Sequence, residues 1–496
     1  MISQQSTGTR QQKAKKRSAV SSLRAFVIAA FCCFALTQIL SAAPVVDPFA
    51  DEVISYSPGP DWTGPEFHKS ALALGAPSGL YVYEPDNSSV VTVGDGGNIV
   101  LKFNSPVVDD PRSPYGLDFI VFGNPQVYET LQGFLRYQEL AYVEISQNGS
   151  TWYLIKPSIL PANLRTCNGT PASPDPRNYD VGKSYTAVRG YAEYTPTVGR
   201  PQDLTYPTFP GVSRTDEELY TVPDRCSTIR VGGYNNPLKF DFVSGGGDGF
   251  DIADAVVETE PGVPLIVGGQ TVPAGISSFS YVRITDARSG DSWPQLKAIA
   301  ADVDAVSRTR PALGIGEVRA LAADEYALIT EAIITAVFPT EFFIESPDRS
   351  AGMRVGWNSQ FLVNNERAVA VGDKITIDGH LSKSDRRFSF NDPMFAFTAV
   401  DEPLPKPLGA RMQNLDSDLL YGMRVRTWGN VSDPGDGWEF TISEGAKSIK
   451  VRSVDYSEPM PVGTHVSVTG ICDREEGTGN TVIRVIDPSN DIRSYP

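Results

Sequence analysis

Phe240-Asp-Phe-Val-Ser-Gly-Gly-Gly-Asp-Gly-Phe-Asp-Ile-Ala-Asp-Ala-Val-Val257 holds two apolar runs that read as strands, separated by three consecutive glycines and by acids at Asp248, Asp251 and Asp254. A backbone this free folds tightly, and carboxylates at three-residue intervals can then converge on a hard cation. On a plain extended strand, residues three apart point to opposite faces, so convergence needs the glycines to bend the chain. Acids that cap turns or face solvent are the simpler reading and the favoured one. Asp302 and Asp304 are two residues apart and share one face of a closing strand, which places them to complete a calcium site. Such an ion would be structural rather than catalytic.

Strand character continues on both sides of this stretch. Val90–Phe103 alternates around Gly-Asp-Gly-Gly and predicts a hairpin. Gly116–Pro125 has the unbroken apolar character of a strand buried on both faces, and Leu140–Trp152 predicts a second hairpin turning at Asn148-Gly149. Phe279–Asp286 and Ile299–Val306 follow, with no helical pattern between strands. Residues 44–308 therefore predict one antiparallel sandwich, interrupted over about 157–236 by an insertion rich in Pro, Gly, Asn and Thr.

The ordered succession Ala73–Gly79, Val93–Phe103, Asp118–Asn124, Glu139–Ser146, Gly247–Asp254, Tyr281–Ile284 and Asp302–Val306 resembles a family of secreted bacterial cell-surface proteins. The resemblance implies a galactose-binding-like jelly roll and a binding role, with no particular ligand attached. Gly123 stands where relatives usually carry an acid, and the insertion is more elaborate here.

Beyond Arg308 the style changes and the sequence repeats. Phe342–Val355 followed by Val371–Gly379 parallels Phe440–Val451 followed by Val462–Gly470. Each copy opens with a strand, Tyr326–Val337 and Gly422–Val431, and each closes on a valine-rich strand ending in glycine. Two short-stranded units of this kind resemble five-stranded OB barrels, over residues 316–400 and 421–496, with a bridging segment at 401–420 packed between them. The whole is expected to be all-β: a jelly-roll sandwich followed by two small OB-like barrels.

Composition narrows the function. With 44 glycines and 38 prolines in 496 residues, turns and short strands dominate. Arg10, Lys13, Lys15, Lys16, Arg17 and Arg24 precede an apolar run from Ala25 to Leu36 and small residues at 41–43, which reads as a secretory signal peptide over residues 1–43. An uncleaved anchor is the alternative, and cleavage would leave no membrane span. Removing six positive charges from a chain of net −16 leaves about −22, which opposes nucleic acid and anionic lipid as general partners. Residues 316–496 carry 18 Lys and Arg against 27 Asp and Glu, opposing the same use of the barrels. Cys167 and Cys226 flank the insertion and predict one disulfide in an oxidising compartment, leaving Cys472 as a buried thiol.

Catalytic signatures are scarce. There is no Gly-x-Ser-x-Gly elbow, no His-Glu-x-x-His and no phosphate-binding loop, and the histidines number three, His68, His380 and His465, each read as structural or surface. Arg424, Arg426 and Trp428 alternate along one predicted strand and so share a face, with Trp438 following. Arginine beside tryptophan can stack on a sugar or a base, or pack the barrel, and packing is favoured. The expectation is a secreted or cell-surface binding protein, not an enzyme, that recognises an extracellular glycan or cell-envelope component. A polysaccharide hydrolase and a single-stranded nucleic-acid binder stand as alternatives.

Overall fold

Phe119–Phe122 is buried along its whole length, and the sandwich is assembled on both sides of it. The computed structural model describes residues 47–60, 64–78, 87–124, 127–130, 133–136, 141–155, 197–203, 211–223, 243–286, 300–356, 368–436, 438–453 and 459–495. The predicted leader, Cys167 and Cys226 lie outside them. Strands account for 47% of the chain and helix for 11%, so the fold is all-β. No helix among the described residues is long and apolar enough to cross a membrane.

One sheet of the jelly roll has seven antiparallel strands, in the spatial order Glu52–Ser57, Asn98–Val108, Ser278–Asp286, Ala141–Ser146, Tyr153–Ile155, Ala255–Glu260 and Val263–Pro264. The other places Phe119–Phe122 between Ala305–Arg308 and Asp248–Phe250. Between the layers, Phe119 stacks on Phe250 at 5.2 Å and meets Phe279 edge-on at 4.9 Å, with Val143, Ile145 and Ile284 filling the space around them. The Asn148-Gly149 hairpin forms as expected: Ala141–Ser146 pairs with Tyr153–Ile155, and Asn148 Oδ1 accepts from the backbone N–H groups of Ser150 and Thr151.

The other expected hairpin does not form. Val91–Thr92 pairs with Asp302–Val303, while Asn98–Val108 pairs with Glu52–Ser57 and Ser278–Asp286. The turn between them carries the chain from one sheet to the other, a crossing that alternation alone does not distinguish from a return along the same sheet.

The two barrels have one topology. In the first, Tyr326–Phe338, Glu341–Glu345, Gly352–Gly356, Arg387–Phe390 and Lys374–Ser384 close in the spatial order one, two, three, five, four, with strands three and five parallel. In the second, Arg424–Asp433, Glu439–Glu444, Lys447–Ser453, Thr481–Val485 and His465–Arg474 do the same. In each, a sixth strand lies along the fourth: Met394–Ala399 on Lys374–Ser384, and Ile492–Tyr495 on His465–Arg474. The sequence repeat falls on strands two to four. Phe342, Ile344, Met353, Val355, Ile375 and Ile377 fill one core, and Phe440, Ile442, Ile449, Val451, Val466 and Val468 fill the other at the matching positions.

The expected bridge does lie between the barrels, with the Glu402 N–H donating to the Gly372 carbonyl and Asp418 paired with Arg386 of the first, and it also completes the second. Leu408–Gly409 pairs with Arg424–Asp433, and Ala410, Met412 and Leu415 enter the second core. The barrels touch back to back where Gly352 meets Gly422; a Cβ on Gly352 would lie 2.4 Å from the Gly422 carbonyl oxygen. Cys472 is buried in the second core as a free thiol, and burial pushes its pKa up to about 11.

The described part of the insertion is no surface decoration. Arg214 is fully buried between the jelly roll and the first barrel, where its Nε and Nη2 donate to Asp378 at 3.1 and 3.0 Å. Its Nη1 donates to Asp392 at 2.6 Å and to the Ser213 carbonyl at 2.9 Å, and Nη2 also reaches the Asp392 carbonyl at 2.8 Å. All five guanidinium donors are thereby engaged. The short helix Asp216–Leu219 follows, capped reciprocally by Thr215 and Glu218, and Glu218 Oε1 lies 3.1 Å from His380 Nε2. Beside this polar seam Val212, Val222 and Val243 pack on Leu328, Met394 and Ala396 of the barrel.

Candidate functional site

The five acids expected to gather around calcium do not come together. Asp248 is buried in the strand Asp248–Phe250, and Asp251 caps a single 3-10 turn containing Asp254, accepting from the Ala253 N–H at 2.7 Å. Asp302 accepts from the Thr92 hydroxyl at 2.5 Å, and Asp304 from the N–H and hydroxyl of Ser78, both at 2.9 Å. The three acids of the first loop keep separate places, and Asp302 and Asp304 tie strands to different neighbours.

Asp251 instead meets Asp109 and Asp118, each offering a carboxylate oxygen within 4.8 Å of the others. Sequence reading missed Asp109 and Asp118 because they lie at the two ends of the connection from Asn98–Val108 to Phe119–Phe122, strands of opposite sheets, and only the sandwich brings them to the glycine loop. Asp118 Oδ2 accepts from the Ile252 N–H at 2.9 Å, which fixes the loop against the strand. Burial pushes Asp118 up to about 6, against the bonds it accepts from Ile252, Ser113 and Asp110; burial also raises Asp251, with the Asp109 charge adding to it.

A carboxyl whose folded pKa is raised favours folding while protonated in both states, and that advantage is lost as pH rises toward the folded value. Asp118→Asn is therefore expected to melt higher than wild type above about pH 6 and to match it below about pH 4, given a shift from 3.8 to about 6. Divalent calcium would offset the same repulsion. Calcium at pH 7 should then raise the melting temperature of wild type and leave Asp251→Asn unmoved; equal responses would remove the trio as a cation site.

A second surface emerges from comparing the barrels. On the first, the outer face of strands one, four and six is covered: Leu328, Met394 and Ala396 lie under the jelly roll, and Tyr115 donates to Thr376 at 2.7 Å. On the second, the matching face is open. Arg426 and Trp428 project from strand one, Ser467 and Thr469 from strand four, and Arg493 and Tyr495 from strand six, with register pairs Trp428–Ser467, Arg426–Thr469 and Ser467–Arg493. Trp428 is 36% exposed and Tyr495 48%. His465 packs its ring 6.1 Å from Tyr495 and lies 2.9 Å from Asn430 Oδ1.

Of the four residues singled out in the second barrel, this face unites Arg426 and Trp428. Arg424 projects the same way, but its guanidinium pairs with Asp491 at 3.3 Å. Trp438 sits past Asp433 in the turn between strands one and two, 60% exposed and away from the face. Packing, the favoured role for Trp428, is not what its exposure describes. Arg493 and Tyr495 were missed, being in a sixth strand of four residues at the very end of the sequence, too short for alternation to show.

Strands two and three of OB barrels commonly carry the ligand groove. Here that surface is self-neutralised: Lys450 and Arg452 pair with Glu439 and Glu475. Arg426 spends only its Nε, donated to the Thr469 hydroxyl at 3.0 Å, and among the described residues Arg493 makes no ion pair.

No family model and no curated protein matches this sequence. Solved structures match parts of it. A HIN domain in complex with 20-base-pair double-stranded DNA is 13% identical over 35% of this chain and 97% of its own length, with a TM-score of 0.20. A replication protein A heterotrimer bound to single-stranded DNA is 10% identical over 35% of this chain and 49% of its own, TM-score 0.17. An aspartyl-tRNA synthetase of Leishmania major Friedlin is 12% identical over 20% of this chain, which spans only 22% of that protein, TM-score 0.15. Likenesses this distant assign neither a family nor a ligand.

Proposed function

We propose that this chain is a non-catalytic binding protein of the cell exterior that recognises carbohydrate of the envelope or its surroundings. In this reading the jelly roll and the first barrel form a rigid mount, and the second barrel presents the recognition surface. The observation that carries it is the contrast between duplicate faces. One is buried under the jelly roll, while its counterpart keeps a tryptophan, a tyrosine, a histidine and two arginines in solvent. Aromatic rings half-open to water on a flat sheet suit the apolar faces of sugar rings, and Asn430 and Ser467 beside them offer amide and hydroxyl partners. The seven-stretch resemblance to secreted cell-surface proteins and the basic, then apolar, leader support placement outside the cell.

A glycan array probed with the mature chain tests this reading. Wild type should bind a subset of glycans without releasing reducing ends, and Trp428→Ala with Tyr495→Ala should lose at least about tenfold in affinity, as removal of central aromatic anchors does. Release of reducing sugar would make the protein a hydrolase instead. Unchanged binding by the double variant would move the site elsewhere.

A further inference from the structure

Resting on that reading, we infer that the open face of the second barrel takes an acidic glycan, a polymer carrying carboxylates at intervals along a sugar backbone. Arg426 and Arg493 carry the inference. They flank Trp428 and Ser467 in a patch made of Arg426, Trp428, Asn430, His465, Ser467, Thr469, Arg493 and Tyr495, with no acid among them. That is unusual in a chain with 59 acids to 43 lysines and arginines. Arg424, at the end of the same face, is matched by Asp491, and on another face Lys450 and Arg452 are matched by Glu439 and Glu475. Arg426 and Arg493, which make no ion pair among the described residues, lie on the face that carries the exposed aromatics.

Their spacing fits widely spaced charges. Arg426 and Arg493 are two strands and two residues apart, about 10 Å across and about 7 Å along at ordinary strand spacing and rise. A guanidinium fork matches a carboxylate bidentately, and Trp428 between the two arginines and Tyr495 just past Arg493 offer rings to stack on the sugars that join those carboxylates. A nucleic-acid strand fits less well. It brings a charge about every 3.4 Å, several for each arginine here, onto a protein of strongly negative net charge. A second copy of this chain is no better match, because the patch is polar around its two rings and lacks the apolar centre of a subunit interface.

The test uses the mature full-length chain on immobilised polygalacturonate, alginate and hyaluronan, on polygalacturonate reduced at its carboxyls to a neutral polymer of the same backbone, and on oligo-deoxythymidine. Wild type should be retained on at least one acidic polymer. For polygalacturonate, retention should fall about tenfold on carboxyl reduction and by a similar factor in Arg426→Gln or Arg493→Gln, the size expected for one charge-assisted pair. Lys450→Gln should leave retention unchanged, and the melting temperatures of all three variants should stay near wild type because the replaced groups are exposed. Equal retention on the reduced polymer, or arginine variants that bind as wild type does, overturns the acidic-glycan inference and leaves a neutral-glycan protein standing. Tighter binding to oligo-deoxythymidine than to any glycan overturns both, as does failure to bind every acidic polymer and every neutral one.

Discussion

Arg214→Ala is expected to lower unfolding free energy by about 3–5 kcal/mol, the range for removing one partner of a buried ion pair. The acids that would lose it are buried: Asp378 has 1% of its side chain exposed, and Asp392, with 10%, keeps only its two bonds to His380. Tyr326 would lose the guanidinium 5.5 Å from its ring while still donating to Asp378 at 2.7 Å, which leaves one hydrogen bond where there were several. Arg214→Lys should recover part of the loss only, since three donors on a flexible stem cannot replace five in a planar fork. Because Arg214 enters from the jelly roll and both acids from the first barrel, the loss should also divide the melt. Urea unfolding of wild type is expected to give a single transition for sandwich and first barrel, and that of Arg214→Ala to give two. One unshifted transition in the variant would show that the apolar contacts of Val212, Val222 and Val243 hold the two together without it.

What the sequence revealed and what it hid follow one physical division. Periodicity and repetition report on what a segment does with its own faces, so the unbroken apolar run Phe119–Phe122 and the six repeated core positions of each barrel were legible. They do not report on partners. Val91–Thr92 alternates as well as any hairpin arm, yet its partner is Asp302–Val303, because its apolar side can be buried by either sheet. The same limit explains the acids. Residue spacing grouped Asp248, Asp251 and Asp254, whereas the sandwich groups Asp251 with Asp109 and Asp118. It explains the barrels too: identical patterns gave two matching outer faces, and nothing in either copy says that a segment around Arg214 will cover one and not the other. Arg426 and Trp428 were found because they lie on a long strand whose alternation sets their side.

Gly247→Ala is expected to cost about 2–5 kcal/mol, combining about 1–2 for a left-handed backbone with about 1–3 for overpacking. Gly247 has φ +74°, and a Cβ there would stand 2.6 Å from Ile120 Cγ2 and 2.7 Å from Phe122 Cδ1. Neither neighbour can retreat, because Phe122 meets Tyr220 edge-on at 5.7 Å and Ile120 is fully buried beside it. Gly245 is under the steric part of this constraint alone, with a Cβ position 2.4 Å from the Tyr220 ring, while its N–H donates to the Leu219 carbonyl at 3.2 Å. The glycine tract thus lets backbone lie directly against the strand Phe119–Phe122 and against Tyr220. Its use as a hinge for carboxylates is a separate matter, and the two uses make opposite predictions. Close packing gives the same loss for Gly247→Ala in urea melts with chelator and with calcium. A loss confined to the calcium melts would mean that the glycines serve a metal loop and that their contact with Ile120 and Phe122 is incidental.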